Sequence, residues 1–379
     1  MPTPVMMKCV HMFLLSLLLV SCEENERASS GQEALSGNVS ISSCYTMLPD
    51  FTFNYQNLSG FSKSYIGGRA YLTALSSGVI YTFDAESGEL VNKHTLEKDG
   101  PLAINSNSTF DGVFYINKDS ILYSSNAQNK IFLLTPEAVK TIVDFSGVNN
   151  VRLASAFRNA PVEGRNHILF PIYPNRKEDI GRGFSFVAIQ KDMQGYDQVI
   201  SFEPAYKSKF YGTTPYFYWP SVTFNDESDS YVASFPVSHA VFEYDADFKL
   251  KKEHNAYQEI IGSIEEFPYA VDPEGNPSRD DDGVFYRETN HFCNIYYLPG
   301  KSLYFRFGVV ADPVGNERQT CLFIYNDTFT KSKALKLSTD YVEGSMFALD
   351  DRMYILNETK LVNEKTLELP YDCFIFESD

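Results

Sequence analysis

Short runs of large apolar side chains recur along this chain, each bounded by turn-forming residues and each too short to be an ordinary helix. Six share one pattern, at residues 80–84 (IYTFD), 131–135 (IFLLT), 186–190 (FVAIQ), 241–245 (VFEYD), 322–326 (LFIYN) and 373–377 (CFIFE). Their starts lie 51, 55, 55, 81 and 51 residues apart. Near-continuous apolarity over so few residues is what a strand covered on both faces requires. A second strand precedes each run, at residues 71–74, 121–124, 168–172, 231–234, 303–306 and 353–356. Turn chemistry separates the two, as in Ser76-Ser77-Gly78 and Asn126-Ala127-Gln128-Asn129. After the first run, Ser87-Gly88-Glu89 turns the chain into a further strand at residues 90–96. A repeat of this length holds four strands and their turns, which is one propeller blade. One blade cannot cover both its faces alone, so the units must pack side by side. The pattern predicts an all-β fold, a six-bladed β-propeller.

The last run ends at the final residues, leaving no chain for an outer strand. Residues 44–55, with Phe51-Thr52-Phe53, read as the strand that completes the last blade from the other terminus. Without it the blade would present an unpaired edge. Cys44 and Cys373 then lie on neighbouring strands, where a disulfide would lock the ring. Free buried thiols are the plainer reading of Cys44, Cys293, Cys321 and Cys373, which show no CxxC spacing.

The N-terminus changes the picture of where the protein works. Lys8, an apolar stretch over residues 10–20 and the sequence Leu19-Val20-Ser21-Cys22 look like a bacterial lipoprotein signal. The apolar stretch is too short to span a bilayer core of ~30 Å as a helix. The expected organisation is a signal peptide over residues 1–21, a flexible tether over 22–43 from a lipidated Cys22, and the propeller over 44–379. Stable anchoring by acyl chains takes two or more of them. Glu23-Glu24-Asn25-Glu26 resembles the acidic export tags of surface-displayed lipoproteins, although an acidic linker also solvates itself. The expected address is the outer membrane, on its periplasmic or outer side.

The formal net charge of −17 argues against nucleic acid, whose binding needs several Lys or Arg contacts to phosphate. It also removes polybasic attraction to anionic lipid, so the lipid anchor must supply the membrane contact. Aromatics reach 15%, with 30 Phe and 25 Tyr against one Trp, a balance suited to pleated, half-buried surfaces.

Three stretches carry a family resemblance: Glu97-Lys98-Asp99-Gly100-Pro101, Asp119-Ser120-Ile121-Leu122-Tyr123, and Ser234-Phe235-Pro236-Val237-Ser238-His239 leading into residues 241–245. With them the chain resembles the Bacteroidetes lipoprotein propellers grouped as domain of unknown function 4221. The resemblance implies a six-bladed fold and a cell-envelope address, and it brings no reaction and no catalytic residues.

Motifs that carry chemistry are scarce: there is no G-x-S-x-G, phosphate loop, H-E-x-x-H or G-x-G-x-x-G. Position in the fold is the better guide. The loops joining second to third strands, and each outer strand to the next blade, share one face of a propeller. Three such loops stand out. Residues 174–183 carry Arg176, Lys177 and Arg182; residues 203–220 carry Tyr206, Phe210, Tyr211, Tyr216, Tyr218 and Trp219; residues 257–290 carry Asp280, Asp281, Asp282 and Arg287. His239 and His291 lie within reach of that face. Each has a plainer reading, as a solvated hairpin, as inter-blade packing or as a hydrogen-bonded core histidine. The acidic triplet lacks the alternating spacing of a calcium loop, so no metal is expected, and no cofactor either. The leading function is a non-catalytic envelope lipoprotein binding a glycan, peptide or envelope protein on one face. A glycan hydrolase or lyase using carboxylates or His and Tyr competes with it, and a structural role in an envelope assembly ranks third.

Overall fold

A computed structural model describes residues 33–377, apart from 51, 56–57, 98, 100–102, 105–109, 149–150, 154–158, 175–183, 194–195, 202–205, 207–208, 273–276, 312–317, 343–344 and 362–367. Cys22, Arg176, Lys177 and Arg182 therefore lie outside the described residues.

Strands in sequence order pair with their neighbours into antiparallel meanders, here numbered units 1 to 6. Unit 1 is Ser62–Ile66, Arg69–Ser76, Val79–Asp84 and Leu90–Thr95. Unit 2 is Gly112–Asn117, Ser120–Ser125, Lys130–Leu134 and Val139–Asp144. Unit 3 is His167–Pro174, Phe184–Gln190 and Tyr196–Ser201, with two short pieces, Val151–Leu153 and Val162–Glu163, on its inner side. Unit 4 is Ser221–Asn225, Ser230–Ser234, Ala240–Asp245 and Leu250–Asn255. Unit 5 is His291–Leu298, Leu303–Ala311, Arg318–Asn326 and Lys331–Lys336. Unit 6 is Phe347–Leu349, Arg352–Leu356 and Leu369–Glu377, completed by Asn38–Met47 from the N-terminal side. All six recurrent apolar runs are third strands of these meanders, and all six partners upstream are second strands.

Burial explains why those two strands carried the signal. Every residue of Ser230–Ser234 is buried, whereas Leu90–Thr95 alternates between half-buried and exposed. Middle strands are sandwiched between neighbouring units and must be apolar on both faces. Outer strands have one face in water. The hairpins use the backbone their turns demand: Ser77 and Gly78 both have positive φ, 53° and 80°, as a two-residue hairpin matching strand twist requires.

The core is divided among the gaps between units. Separate apolar clusters join units 1 and 2, 2 and 3, 3 and 4, 4 and 5, and 5 and 6. A further cluster joins unit 6 back to unit 1, through Phe347, Tyr354 and Tyr371 against Phe61, Leu72 and Phe83. Fully burying one Phe contributes roughly 1.5–3 kcal/mol, so each gap is a substantial adhesive surface.

The closing strand runs over Asn38–Met47, earlier in the chain than residues 44–55, and so takes in part of the stretch whose polar composition reads as tether. Gly37 has a φ of 125°, and a Cβ there would strike the Glu377 carbonyl and the Phe376 ring. Upstream of it, Glu33–Ala34 lies parallel to Lys331–Lys336 on the outer edge of unit 5. Cys44 and Cys373 form a disulfide with Cα atoms 5.9 Å apart, while Cys293 and Cys321 are free and buried. Burial pushes the Cys321 thiol up to about 11. The only α-helix among the described residues is Arg279–Glu288, in the long connection before unit 5. No helix among them is long and apolar enough to cross a membrane.

Candidate functional site

The loop-borne candidates gather where the first strands begin, and most are used for packing. The Tyr206 hydroxyl donates to the Phe217 carbonyl at 2.8 Å, and the Tyr218 hydroxyl donates to the Gly212 carbonyl while accepting from the Tyr211 amide, both at 2.9 Å. Burial raises the pKa of all three, that of Tyr211 to about 12. Trp219 is buried beside Phe110, Tyr173 and Tyr216, with its indole N–H unpartnered among the described residues. His291 is fully buried with its ring edge-on to Phe217 at 5.2 Å.

The helix Arg279–Glu288 closes over this cluster. Ser278 caps it, its Oγ accepting from the Asp281 amide and donating to the Asp281 carboxylate at 2.7 Å. Asp282 holds the helix to the aromatic loop by accepting from the Thr213 amide and from the Thr213 and Thr214 hydroxyls, at 2.8–2.9 Å. The acidic triplet is thus the first turn of a helix, where negative charge meets unpaired amides. Arg287 is exposed at its other end. No group of three His, Cys, Asp or Glu suited to a metal ion occurs among the described residues.

His239 belongs to a separate arrangement that fastens unit 4 to unit 5. Arg306 is fully buried and donates to Ser234 Oγ at 2.8 Å and to the carbonyls of Phe235, Ser238 and His239 at 2.6–3.3 Å. Its guanidinium lies 3.4 Å from the Phe292 ring centre. Burial pulls its pKa down to about 10. His239 Nδ1 accepts from the Gln258 amide at 3.2 Å, which places the proton on Nε2, where it donates to the Gly262 carbonyl at 2.6 Å. Burial, helped by the nearby Arg306 charge, lowers the His239 pKa and keeps the ring neutral.

The open volume lies elsewhere, between the first strands. A cavity of about 320 Å³ is walled by residues from the inner strands of units 1, 3, 4, 5 and 6. Unit 2 contributes no wall residue; at that side Val162 of unit 3 pairs directly, in parallel, with Lys63 of unit 1. Phe61, Val222, Ile295 and Phe347 form the apolar wall, and Lys63, Asn159, Ser221, Thr223 and Asn294 the polar one. Tyr65, Gly164, Lys191, Asp226 and Pro299 place the rim at the far ends of the first strands, away from the aromatic cluster.

Two of the rim charges pair with each other. Glu163 accepts from Lys191 at 2.6 Å and from the Tyr65 amide at 3.1 Å. Tyr296 donates to the Met346 carbonyl at 3.2 Å and accepts from Asn294 at 2.9 Å; burial raises its pKa far above the ordinary phenol range. None of the loop candidates, namely Tyr206, Tyr211, Tyr218, Trp219, His239, Asp281, Arg287 and His291, lines the cavity. Sequence reasoning missed Lys63, Ser221 and Thr223 because first strands fall outside the recurrent apolar run. The available signal was small polar residues in strands otherwise bounded by Phe and Val.

The profile of the domain of unknown function DUF4221 matches residues 39–332. The crystal structure of a DUF4221 member from Bacteroides vulgatus is 15% identical, with a TM-score of 0.66, covering 91% of this chain and 100% of that one. A Bacteroides fragilis protein described as exported is 10% identical, with a TM-score of 0.50, covering 90% of this chain and 96% of the other. These likenesses are of fold. No curated protein sequence matches the chain.

Proposed function

Since the chain belongs to the DUF4221 family, whose description assigns no activity, we propose a function from its own geometry: a lipid-anchored, six-bladed β-propeller that binds a small ligand in its axial cavity without transforming it. The six-bladed reading is supported by the cyclic run of apolar clusters, in which unit 6 packs on unit 1 as each unit packs on the next. The envelope address rests on Cys22 and the sequence before it. The observation that carries the binding role is the cavity itself, about 320 Å³ and walled by five inner strands. Ligand sites of roughly 300–1,000 Å³ are typically apolar with a few placed polar groups, and this wall has that composition. Much of its wall stands on strands, which suits rigid, reversible recognition.

The test is a thermal-shift screen of the detergent-solubilised full chain against small polar metabolites, repeated with Ala160→Trp. Ala160 is a half-buried wall residue, so the indole fills the cavity without replacing a core side chain. Hits that disappear in A160W support the site. Hits that persist unchanged would place binding elsewhere and end this reading.

A further inference from the structure

The donors and acceptors left over in the cavity wall specify what it takes. Lys63 is half-buried there, and its ammonium makes one hydrogen bond, to the Ala348 carbonyl at 3.1 Å. No carboxylate pairs with it among the described residues, although the protein as a whole carries 49 acidic residues. An ammonium has three N–H donors, so two remain.

Ser221 and Thr223 point the same way in chemical terms. Ser221 Oγ accepts from the Ile295 amide at 3.0 Å, and Thr223 Oγ1 accepts from the Tyr297 amide at 3.1 Å. Each hydroxyl thereby spends lone-pair capacity on the neighbouring unit and keeps its O–H to give. The carboxylate of Glu163 is, by contrast, engaged, held by Lys191 and the Tyr65 amide. Asp226 is exposed at the rim, where water screens it. Lys63, Ser221 and Thr223 thus give the inner wall spare donor capacity, one cation and two hydroxyls, set beside Phe61, Val222, Ile295 and Phe347.

We infer that the axial cavity recognises a small carboxylate with an apolar body, the carboxylate on Lys63, Ser221 and Thr223 and the body against the Phe and aliphatic wall. This rests on the cavity being a binding site, as proposed above. Charge-assisted hydrogen bonds inside a partly dry pocket are the strong ones, so the acid should be preferred over its neutral isostere.

The experiment is isothermal titration of the full chain with benzoate, 3-phenylpropionate and hexanoate, each beside its primary amide, at millimolar concentration. The expected result is binding of at least one acid, with its amide weaker by about tenfold, the gap between charge-assisted and neutral hydrogen bonds. Lys63→Met should bring the acid down to the level of the amide, and Lys63→Arg should restore much of the difference. A160W should abolish both. Equal binding of acid and amide, both lost in A160W, would overturn the carboxylate assignment and leave the cavity reading intact. Binding that A160W does not affect would overturn the two together, and no binding of any probe would overturn the carboxylate assignment. Thermal melting of each variant shows whether it is folded.

Discussion

The seam that completes unit 6 and the cavity between the first strands both bury polar groups, and they leave those groups in opposite conditions. At the seam, Asp372 is 2% exposed and saturated: Oδ1 accepts from Ser43 and Lys360, and Oδ2 from Tyr341 and Asn357, at 2.5–3.1 Å. Burial alone would raise its pKa, but the hydrogen bonds from Lys360, Asn357 and Tyr341 outweigh that and hold the carboxyl below its usual range. In the cavity, Lys63, Ser221 and Thr223 each retain a donor. A saturated group has nothing left to offer a ligand, whereas an unsaturated one beside open volume costs little until a ligand meets it. The same inventory of polar residues thus divides into fastening and recognition by whether its valence is filled.

The sharpest way to test the division is Asp372→Ala. It strands the Asn357 amide and the Tyr341 and Ser43 hydroxyls at the seam between the N-terminal strand and unit 6. Breaking a buried hydrogen-bonded pair costs about 3–5 kcal/mol, and because the Lys360 side chain is 42% exposed and can rehydrate, the lower end, about 3 kcal/mol, applies here. Urea denaturation, with the Cys44–Cys373 disulfide intact, measures it. A loss under ~1 kcal/mol would mean that the seam is held by its backbone pairing, rings and disulfide, and that its polar network is incidental.

How much of this was legible in the sequence follows the same physics. Third and second strands were readable because they are covered on both faces, and that demands unbroken apolar runs. The closing strand Asn38–Met47 is mostly exposed and is held chiefly by backbone pairing, which leaves no side-chain trace. Its polar residues therefore read as linker. The helix Arg279–Glu288 is absent from the sequence reading, which places the stretch in a long loop and weighs its three consecutive aspartates only against a calcium loop, although Ser278 caps it. The Cys44–Cys373 bond departs from the plainer reading of free thiols, because pairing of the N-terminal strand with unit 6 puts the two cysteines side by side. The cavity wall was not legible. Lys63, Ser221 and Thr223 come from two units more than a hundred residues apart, and no local spacing records that the fold sets them around one cavity.

The seam between units 4 and 5 offers a milder test, through pH. His239 is a filled group of the same kind as Asp372: neutral, with both ring nitrogens bonded. Its folded pKa lies below the unfolded value of ~6.5. Below that value the unfolded chain takes up a proton that the folded protein resists. Stability is therefore full above pH ~6.5 and falls as pH drops toward the depressed folded value, by at most ~1.4 kcal/mol per pH unit for one proton. His94, whose pKa burial also lowers, adds a slope of the same sign. Denaturation midpoints between pH 7.5 and 5 should thus decline more steeply for the native chain than for His239→Gln. Identical slopes would show that the imidazole is not held neutral at this seam.

The smallest expected effect carries the most weight for the comparison. If Lys63 were a fastening group, removing its charge would strand a partner, as at Asp372. Its one bond goes to a backbone carbonyl, Ala348 O, in a half-buried position beside open volume. After Lys63→Met water can meet that carbonyl, and the thioether side chain keeps most of the stem's apolar contact. The stability change should therefore stay within ~0.5 kcal/mol, as for substitutions away from packed or saturated features. The sign is informative as well: an ammonium partly desolvated without a counter-charge is a mild burden on the folded state, so K63M should be neutral or slightly stabilising. Stabilisation together with lost acid binding is the signature of a residue kept for recognition. A loss above ~1.5 kcal/mol would move Lys63 into the class of Asp372 and remove the contrast between seam and cavity.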